Sequence, residues 1–538
     1  MSVLPPSADA LLEAARQRDR RAAWAAVADL LPWLADLRRS VPPAAVFHLT
    51  WAGGAVNRWF DIAELISGTA AARADAAPGT RRLHAQMLME RGFDDEALSR
   101  LEPLRHDATL PAAERQQVFG QLGRIHKDRF AAAVRTGDGT ARLHLTRALD
   151  AYLTGYQEDP ASLWMGINAV ALLARPEAGA VRDQAAEDAT RLARAVIRQA
   201  RERDPGNADR YTPATVAEAS LALRDHATAV DALRRYVTHP GARGFELGAT
   251  LRQFVDIWEL DRADSPGPAL VTLLRAAAMD RLEGGVRMSG DDIRRARESV
   301  GGGQFEAVFG ADRFDSLENY RRGLARSASV ARIGRSADVG VGTGFLLPGD
   351  VLHPELARRF VLVTNAHVLS ARPEERDDNA VHPAEAVVTF AALDGVPASK
   401  EFGVARLRYF SPPEALDVAV AELSEPIAPG EPIPIAPVVP AGTDAQVRVI
   451  GHPSGRGLSF SSGALLDHEA PRLHYRTATE GGSSGSPVFN AEWKLIGLHH
   501  AGGSDVPRLN GQTGTYEANE GILIADIRAA LARTGLLL

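Results

Sequence analysis

Three short strings in the second half of the chain hold residue types that can perform acyl transfer together. In Gly481-Gly482-Ser483-Ser484-Gly485-Ser486-Pro487-Val488-Phe489, glycines flank a serine pair. They let the backbone curl until the N–H groups of Gly482 and Ser484 converge where an oxyanion can develop. A linker is also rich in Gly and Ser, but the adjoining Pro487-Val488-Phe489 and the apolar run Leu495-Ile496-Gly497-Leu498 do not suit one. In Thr364-Asn365-Ala366-His367-Val368, a histidine follows the apolar run Val361-Leu362-Val363. An imidazole held there can shuttle a nucleophile's proton near neutral pH, although a lone histidine is more often structural. In Leu416-Asp417-Val418-Ala419-Val420, an acid is flanked by residues that bury. Its carboxylate needs a partner, and an imidazole N–H is one that would also fix the tautomer. The alternative is an aspartate that caps a turn before a strand.

Each string sits beside a run of strand length. After Val330 the apolar pattern shortens to Val339 to Leu347, Phe360 to Thr364, Ala386 to Phe390, Val418 to Leu423, Val447 to Ile450 and Leu495 to His499, bounded by Gly and Pro. Such runs predict an all-β barrel region, closed by a helix from Ile522 to Leu531. From Ala8 to about Leu282 the apolar residues instead recur every three or four positions, the helix period. A first helix follows Pro5-Pro6-Ser7. Helical hairpins are predicted at Arg81 to Leu104 and Ala217 to Val237, with further helical stretches at Ala148 to Leu173, Ala185 to Arg203 and Leu270 to Leu282. Small residues at the crossings allow close approach, so four to six stacked hairpins are expected as a short α-solenoid. Ser265-Pro266-Gly267-Pro268 and Gly301-Gly302-Gly303 punctuate the passage to the β region, with a helix from Phe305 to Ala325. The expected division is 1–290 helical, 291–325 connecting, and 326–538 β.

Composition narrows the classes. A chain of 538 residues exceeds one ordinary core, and 45% hydrophobic with 24% charged residues is ordinary for a folded protein. The net charge of -7 and the lack of a long basic run disfavour nucleic acid as a partner. The absence of cysteine excludes disulfides and thiolate zinc sites. No signal peptide is visible at the N-terminus and no run of 18 apolar residues occurs, so a cytoplasmic protein without membrane contact is expected. Basic residues are nearly all Arg, with Lys only at 127, 400 and 494, a bias of high-GC bacterial genomes.

The order His, Asp, Ser, together with Val339 to Leu347 and Val449-Ile450-Gly451-His452-Pro453, resembles compact bacterial trypsin-like peptidases of the chymotrypsin superfamily, from about Ala325 to Leu538. The resemblance implies a chymotrypsin-like double β-barrel and a serine endopeptidase without a cofactor, acting on protein substrates. It implies Ser484 as nucleophile, His367 as general base and acid, Asp417 as the residue that orients the imidazole, and the N–H groups of Gly482 and Ser484 as the oxyanion hole. The family pattern, with the nucleophile before the Gly of Ser-Gly-Ser-Pro, selects Ser484 over Ser483 and Ser486. Ser483 stands where zymogen-activated trypsins carry an Asp, so activation by a new N-terminal amine is not expected. His499-His500-Ala501-Gly502 stands where that family often has a Ser supporting the catalytic Asp, so that support is expected to be rearranged.

By the same resemblance, Ala478, Thr479, His499, His500 and Gly502 belong to the substrate-binding wall. A Thr and a His in these places resemble glutamyl endopeptidases, which receive an acidic side chain; a small or apolar preference is the rival. Metal binding by His499 and His500 is not expected, because adjacent strand residues face opposite sides. In the helical half, Gly123-Arg124-Ile125-His126-Lys127-Asp128 and Trp164-Met165-Gly166-Ile167-Asn168-Ala169 resemble the tetratricopeptide-like regulatory region of apoptosis-signal kinases. This implies binding of a protein partner or activator, and a regulated protease in bacterial signalling or defence. The alternative is a catalytically spent scaffold that acts through its helices.

Overall fold

The structure, a computed structural model, describes residues 4–17, 19–57, 59–281, 284–301, 314–337, 339–371, 380–440, 442 and 445–536. Contacts divide the chain into two compact units: Met1–Tyr236 with Asp256–Glu259, and Val237–Val255 with Leu260–Leu538.

The first unit is helical, beginning with Pro6–Gln17 and Arg20–Ala35. The predicted hairpin at Arg81 to Leu104 is two helices, Pro78–Glu90 and Asp94–Arg105, joined through Gly92 at φ 83°. The stack continues through Ala112–Thr136, Ala141–Glu158, Leu163–Leu173, Ala185–Arg203 and Tyr211–Ala222, each packed on its neighbour. The 25-residue helix Ala112–Thr136 lies between the predicted stretches Arg81 to Leu104 and Ala148 to Leu173. It contains the string Gly123 to Asp128, which meets the second quoted string directly. A Cβ on Gly123 would lie 2.6 Å from the Tyr152 ring, and one on Gly120 only 2.0 Å from that of Trp164. Lys127 Nζ donates to Asn168 Oδ1 at 2.7 Å. Glycine thus serves here as a docking surface for aromatic rings on the next helices.

In the second unit, the helix Gly267–Asp280 replaces the predicted Leu270 to Leu282. Of the helix predicted from Phe305 to Ala325, Phe314–Ser327 is present; residues 305–313, and Gly302 and Gly303 before them, lie outside the described residues. The strands are β1 (Gly285–Met288), β2 (Val330–Gly334), β3 (Gly340–Pro348), β4 (Phe360–Thr364), β5 (Val387–Phe390), β6 (Glu401–Phe402) and β7 (Val404–Ser411). They continue as β8 (Val418–Leu423), β9 (Gln446–Gly451), β10 (Leu458–Glu469), β11 (Arg472–Arg476), β12 (Pro487–Phe489), β13 (Leu495–Pro507) and β14 (Thr515–Leu523). The closing helix is Ile524–Thr534.

Two seven-stranded antiparallel sheets result. The first has the order β6-β5-β2-β3-β4-β8-β7 and encloses Ile333, Leu346, Leu362, Val388, Phe390 and Ala419. The second has the order β1-β10-β11-β14-β13-β12-β9, and the extra pairing of β10 with β9 closes it into a ring around Val449, Leu473, Tyr475, Val488 and Ile496. The protein is therefore multidomain α and β, as expected. One expectation needs correction: β1 lies within the 1–290 stretch assigned to the helical region, yet it is hydrogen-bonded onto β10, Val286 opposite Phe460. Four residues are too short to reveal a period of two, and the sheet edge supplies the missing partners.

Candidate active site

Strand pairing brings the histidine and aspartate together. β4 runs antiparallel to β8, Thr364 facing Ala419, so the residues just beyond β4 meet the residue just before β8. His367 and Asp417 occupy those places. His367 Nδ1 lies 2.6 Å from Asp417 Oδ2, and the His367 backbone N–H donates to Oδ1 at 2.9 Å. Asn365 Nδ2 donates to the Asp417 carbonyl at 2.9 Å. Asp417 is fully buried at φ 50°, a left-handed conformation that aspartate tolerates better than most residues. With Nδ1 donating to the carboxylate, His367 Nε2 is left as the basic nitrogen.

A second imidazole reaches the same carboxylate oxygen: His500 Nδ1 is 2.7 Å from Asp417 Oδ2. The sequence groups His500 with the pocket wall; the structure places it on the aspartate. Behind it, His500 Nε2 is 3.6 Å from Glu520 Oε1, and Glu520 Oε2 is 2.8 Å from His474 Nε2. Burial disfavours the Asp417 anion, but the hydrogen bonds from His367 and His500 outweigh it and hold the carboxyl below its ordinary range. Ligand atoms of His367, Asp417 and His500 lie within 4.8 Å of one another. Hydrogen bonds between the rings and the carboxylate account for that closeness.

The serine loop is fastened from two sides. The Thr343 N–H donates to the Ser484 carbonyl at 2.8 Å, and Thr343 Oγ1 donates to the Gly482 carbonyl at 2.9 Å. Thr343 Oγ1 also accepts from the His452 N–H at 3.0 Å, while Thr364 Oγ1 donates to the Thr343 carbonyl at 2.6 Å. On the other side, the Gly485 N–H donates to the His499 carbonyl at 2.9 Å and the His499 N–H to the Ser486 carbonyl at 2.8 Å. The strand that carries His500 to Asp417 therefore also holds the turn around Ser484.

That turn aims its amides. The Gly481 carbonyl accepts from the Ser454 N–H at 2.5 Å. Because a trans peptide sets C=O and N–H on opposite sides, the Gly482 N–H points the other way. The Ser483 carbonyl is likewise taken by the Ser486 N–H at 3.0 Å, turning the Ser484 N–H outward. Among the described residues neither Gly482 N–H nor Ser484 N–H has an acceptor. Gly482 has φ 86°, and a Cβ there would be 2.9 Å from both Gly455 N and the His452 carbonyl oxygen, so no other residue fits.

Of the remaining predicted residues, Thr479 and Gly502 meet at Asn519, which the sequence did not single out. Thr479 Oγ1 donates to Asn519 Oδ1 at 2.7 Å, and Asn519 Nδ2 donates to the Thr477 carbonyl at 2.8 Å. Gly502 pairs with Asn519 across β13 and β14, and a Cβ on it would come within 2.6 Å of Asn519 Oδ1. His499 is buried with Nδ1 2.6 Å from Tyr475 Oη, and burial pushes its pKa down to about 3. It is a neutral side chain at neutral pH. Ala478 is exposed and makes no such bond. Thr343 is the one polar residue in the glycine-rich and apolar β3, and a buried polar residue of that kind is the signal that would have pointed to it; Asn519 stands beside Glu517 and Glu520 in β14 and carries no such signal.

Comparison with known proteins divides the chain in the same way. Residues 342–498 match the trypsin-like peptidase domain, and residues 61–173 match the tetratricopeptide repeats-sensor family. Among curated proteins, the chain is similar to the uncharacterized protein y4fB of Sinorhizobium fredii, with 30% identity over 257 residues, 42% of this chain and 36% of that protein. It is also similar to protease Do-like 7 of Arabidopsis thaliana, with 26% identity over 211 residues, 34% of this chain and 17% of that protein. The chain thus spans well under half the length of these relatives. Among solved structures, the Rv3671c protease in its inactive form matches 40% of this chain and 92% of its own, with 20% identity and a TM-score of 0.28. The active form from M. tuberculosis matches 40% and 85%, with 19% identity and a TM-score of 0.27.

Proposed function

From a chain that carries a trypsin-like peptidase domain behind a tetratricopeptide-like sensor region, we propose a serine endopeptidase whose catalytic residues are His367, Asp417 and Ser484. His367 Nε2 takes the proton of Ser484 Oγ as that oxygen bonds to the carbonyl carbon of the scissile peptide. The carbonyl oxygen becomes an oxyanion between the N–H groups of Gly482 and Ser484. Collapse breaks the C–N bond, and the leaving amine takes the proton from His367. Water then repeats the sequence on the acyl-enzyme and restores the Ser484 hydroxyl. Asp417 stays ionised throughout, holding the tautomer and stabilising the imidazolium.

The observation that supports this most is the pair of amides that have no acceptor among the described residues, on the loop fastened to the strand whose His500 reaches Asp417. A spent domain has no need of two aligned donors aimed away from the protein. If Thr479, His499, Gly502 and Asn519 line the specificity pocket, as the family resemblance implies for the first three, none of these side chains carries a charge at neutral pH, so an acidic residue before the cut would be received by hydrogen bonds rather than by a standing cation. In this reading the helical unit binds a protein partner or activator and regulates the peptidase, in a bacterial signalling or defence setting. No helix among the described residues is long and apolar enough to cross a membrane, and a cytoplasmic site of action is part of the proposal. Profiling a peptide library with wild type and Ser484→Ala tests the reading. Cleavage by the wild type alone supports it, and equal cleavage, or none by either in the presence of candidate partners, overturns it.

A further inference from the structure

The bond that aims the Gly482 amide depends on a residue in an unfavourable conformation. Ser454, whose N–H holds the Gly481 carbonyl, has φ 54°, a left-handed region that serine seldom enters unaided. The next residue, Gly455, continues it at φ 64°. Something must hold Ser454 there. Its Oγ donates to Glu480 Oε2 at 2.8 Å. Glu480 immediately precedes Gly481, so a small ring closes: Glu480 carboxylate, Ser454 hydroxyl, Ser454 N–H, Gly481 carbonyl. The turn beyond is closed by the Ser483 N–H donating to the Glu480 carbonyl at 3.0 Å.

Two arginines address the same carboxylate. Arg456 is 3.5 Å from Glu480 Oε2, and Arg287 is 3.9 Å from Glu480 Oε1. Arg287 lies on β1, opposite Ser459 on β10, directly after the loop that carries Ser454. The strand through which the chain enters this sheet thus reaches the turn that contains Ser484.

We propose that Ser454 and Glu480 form a clasp that sets the orientation of the Gly481–Gly482 peptide, and that Arg287 of β1 tightens it. The inference rests on the peptidase reading and adds how its oxyanion hole is held and biased. Ser454 and Glu480 are positioning residues, since neither touches the reacting atoms. With the clasp closed, the Gly482 N–H faces the developing oxyanion. With it open, the Gly481 carbonyl is free to turn, and the planar peptide carries the N–H away with it. An oxyanion-hole donor acts in the transition state and is worth about 100- to 1000-fold in kcat, so loosening one removes part of that and leaves ground-state binding alone. The Arg287 contact is exposed and long, which makes it a modest bias on the clasp.

The test uses the full chain, a fluorogenic peptide chosen by library profiling, and a peptide aldehyde that forms a hemiacetal with Ser484. Ser454→Gly keeps the N–H and suits the positive φ but removes the hydroxyl. Glu480→Ala removes the acceptor, and Glu480→Gln retains one. The expected result is a kcat loss of about tenfold or more for Ser454→Gly and Glu480→Ala, with KM within about twofold and aldehyde affinity falling in proportion to kcat. Glu480→Gln recovers most of the loss, and Arg287→Ala lowers kcat by a few-fold. Values of kcat within twofold of wild type in both clasp variants, or a loss confined to KM, overturn the clasp. A wild type that neither cleaves peptide nor reacts with a fluorophosphonate overturns the peptidase reading itself, an outcome distinct from the first.

Discussion

One oxygen of Asp417 is shared by two histidines, His367 Nδ1 at 2.6 Å and His500 Nδ1 at 2.7 Å. The carboxylate is buried, so each N–H it accepts replaces water it has lost. We expect His500, together with the His367 backbone N–H on Oδ1, to keep Oδ2 aligned toward the His367 ring. Replacing it by Ala removes a hydrogen bond to a charged group, worth about 1.5–3 kcal/mol. The expected outcome is a fall in kcat of roughly tenfold to a hundredfold with KM little changed, read from steady-state kinetics on a cleaved peptide. Unchanged kcat would remove His500 from this role.

Asp417→Asn keeps the shape of the site and reverses its hydrogen-bond logic. An amide nitrogen facing His367 Nδ1 favours the tautomer that puts the proton on Nε2, where Ser484 needs a base. A loss of about 10⁴ in kcat is expected, with the fold retained by circular dichroism. A loss under tenfold would contradict the assignment of His367 as base.

The depressed pKa of Asp417 carries a pH signature. Its folded value lies below the ordinary 3.8, despite burial, because of the bonds from His367 and His500; Glu520 is lowered likewise by His474 and Arg472 against its own burial. Between the two values the unfolded state binds more protons than the folded one, so stability rises with pH there. The contribution is fully present above the ordinary carboxylate range and is lost as pH falls through the folded values. Urea titrations from pH 6 down to pH 2 should show this loss, and Asp417→Asn should flatten it. An equal slope in wild type and variant would sink the linkage.

Thr343 bonds the Gly482 carbonyl and the His452 N–H through one hydroxyl. Thr343→Val preserves volume and leaves both groups unpaired in a buried place, at a cost of about 1–3 kcal/mol. A lower melting temperature together with reduced kcat is expected. A drop in melting temperature alone would limit Thr343 to a structural part.

In the helical unit, Gly123→Ala places a methyl 2.6 Å from the Tyr152 ring. Relief requires the helices Ala112–Thr136 and Ala141–Glu158 to separate, and a destabilisation of about 1–3 kcal/mol is expected by urea denaturation. A neutral result would mean that the crossing relaxes without cost.

What the sequence reveals follows from how local each cause is. The change from a three-to-four-residue period to short apolar runs near Val330 marks the passage from helices to sheets, because periodicity is local. β1 is not legible, since four residues gain strand geometry only from β10. The roles of His499 and His500 divide for a simple reason: neighbours on a strand face opposite sides, so one ring meets Tyr475 and the other Asp417. That alternation is in the sequence, but which face holds Asp417 is set by strands distant in the chain. Asn519 and the Ser454–Glu480 pair escape sequence reading for the same reason, as each acts on a residue brought near only by the fold.

The most direct test of the account is the site of covalent capture. Full-length wild type treated with diisopropyl fluorophosphate should gain one diisopropylphosphoryl adduct, and peptide mapping by mass spectrometry should find it on Ser484, with no adduct in Ser484→Ala and strongly slowed capture in His367→Ala. An adduct on Ser483 or Ser486, or capture that survives Ser484→Ala, would contradict it.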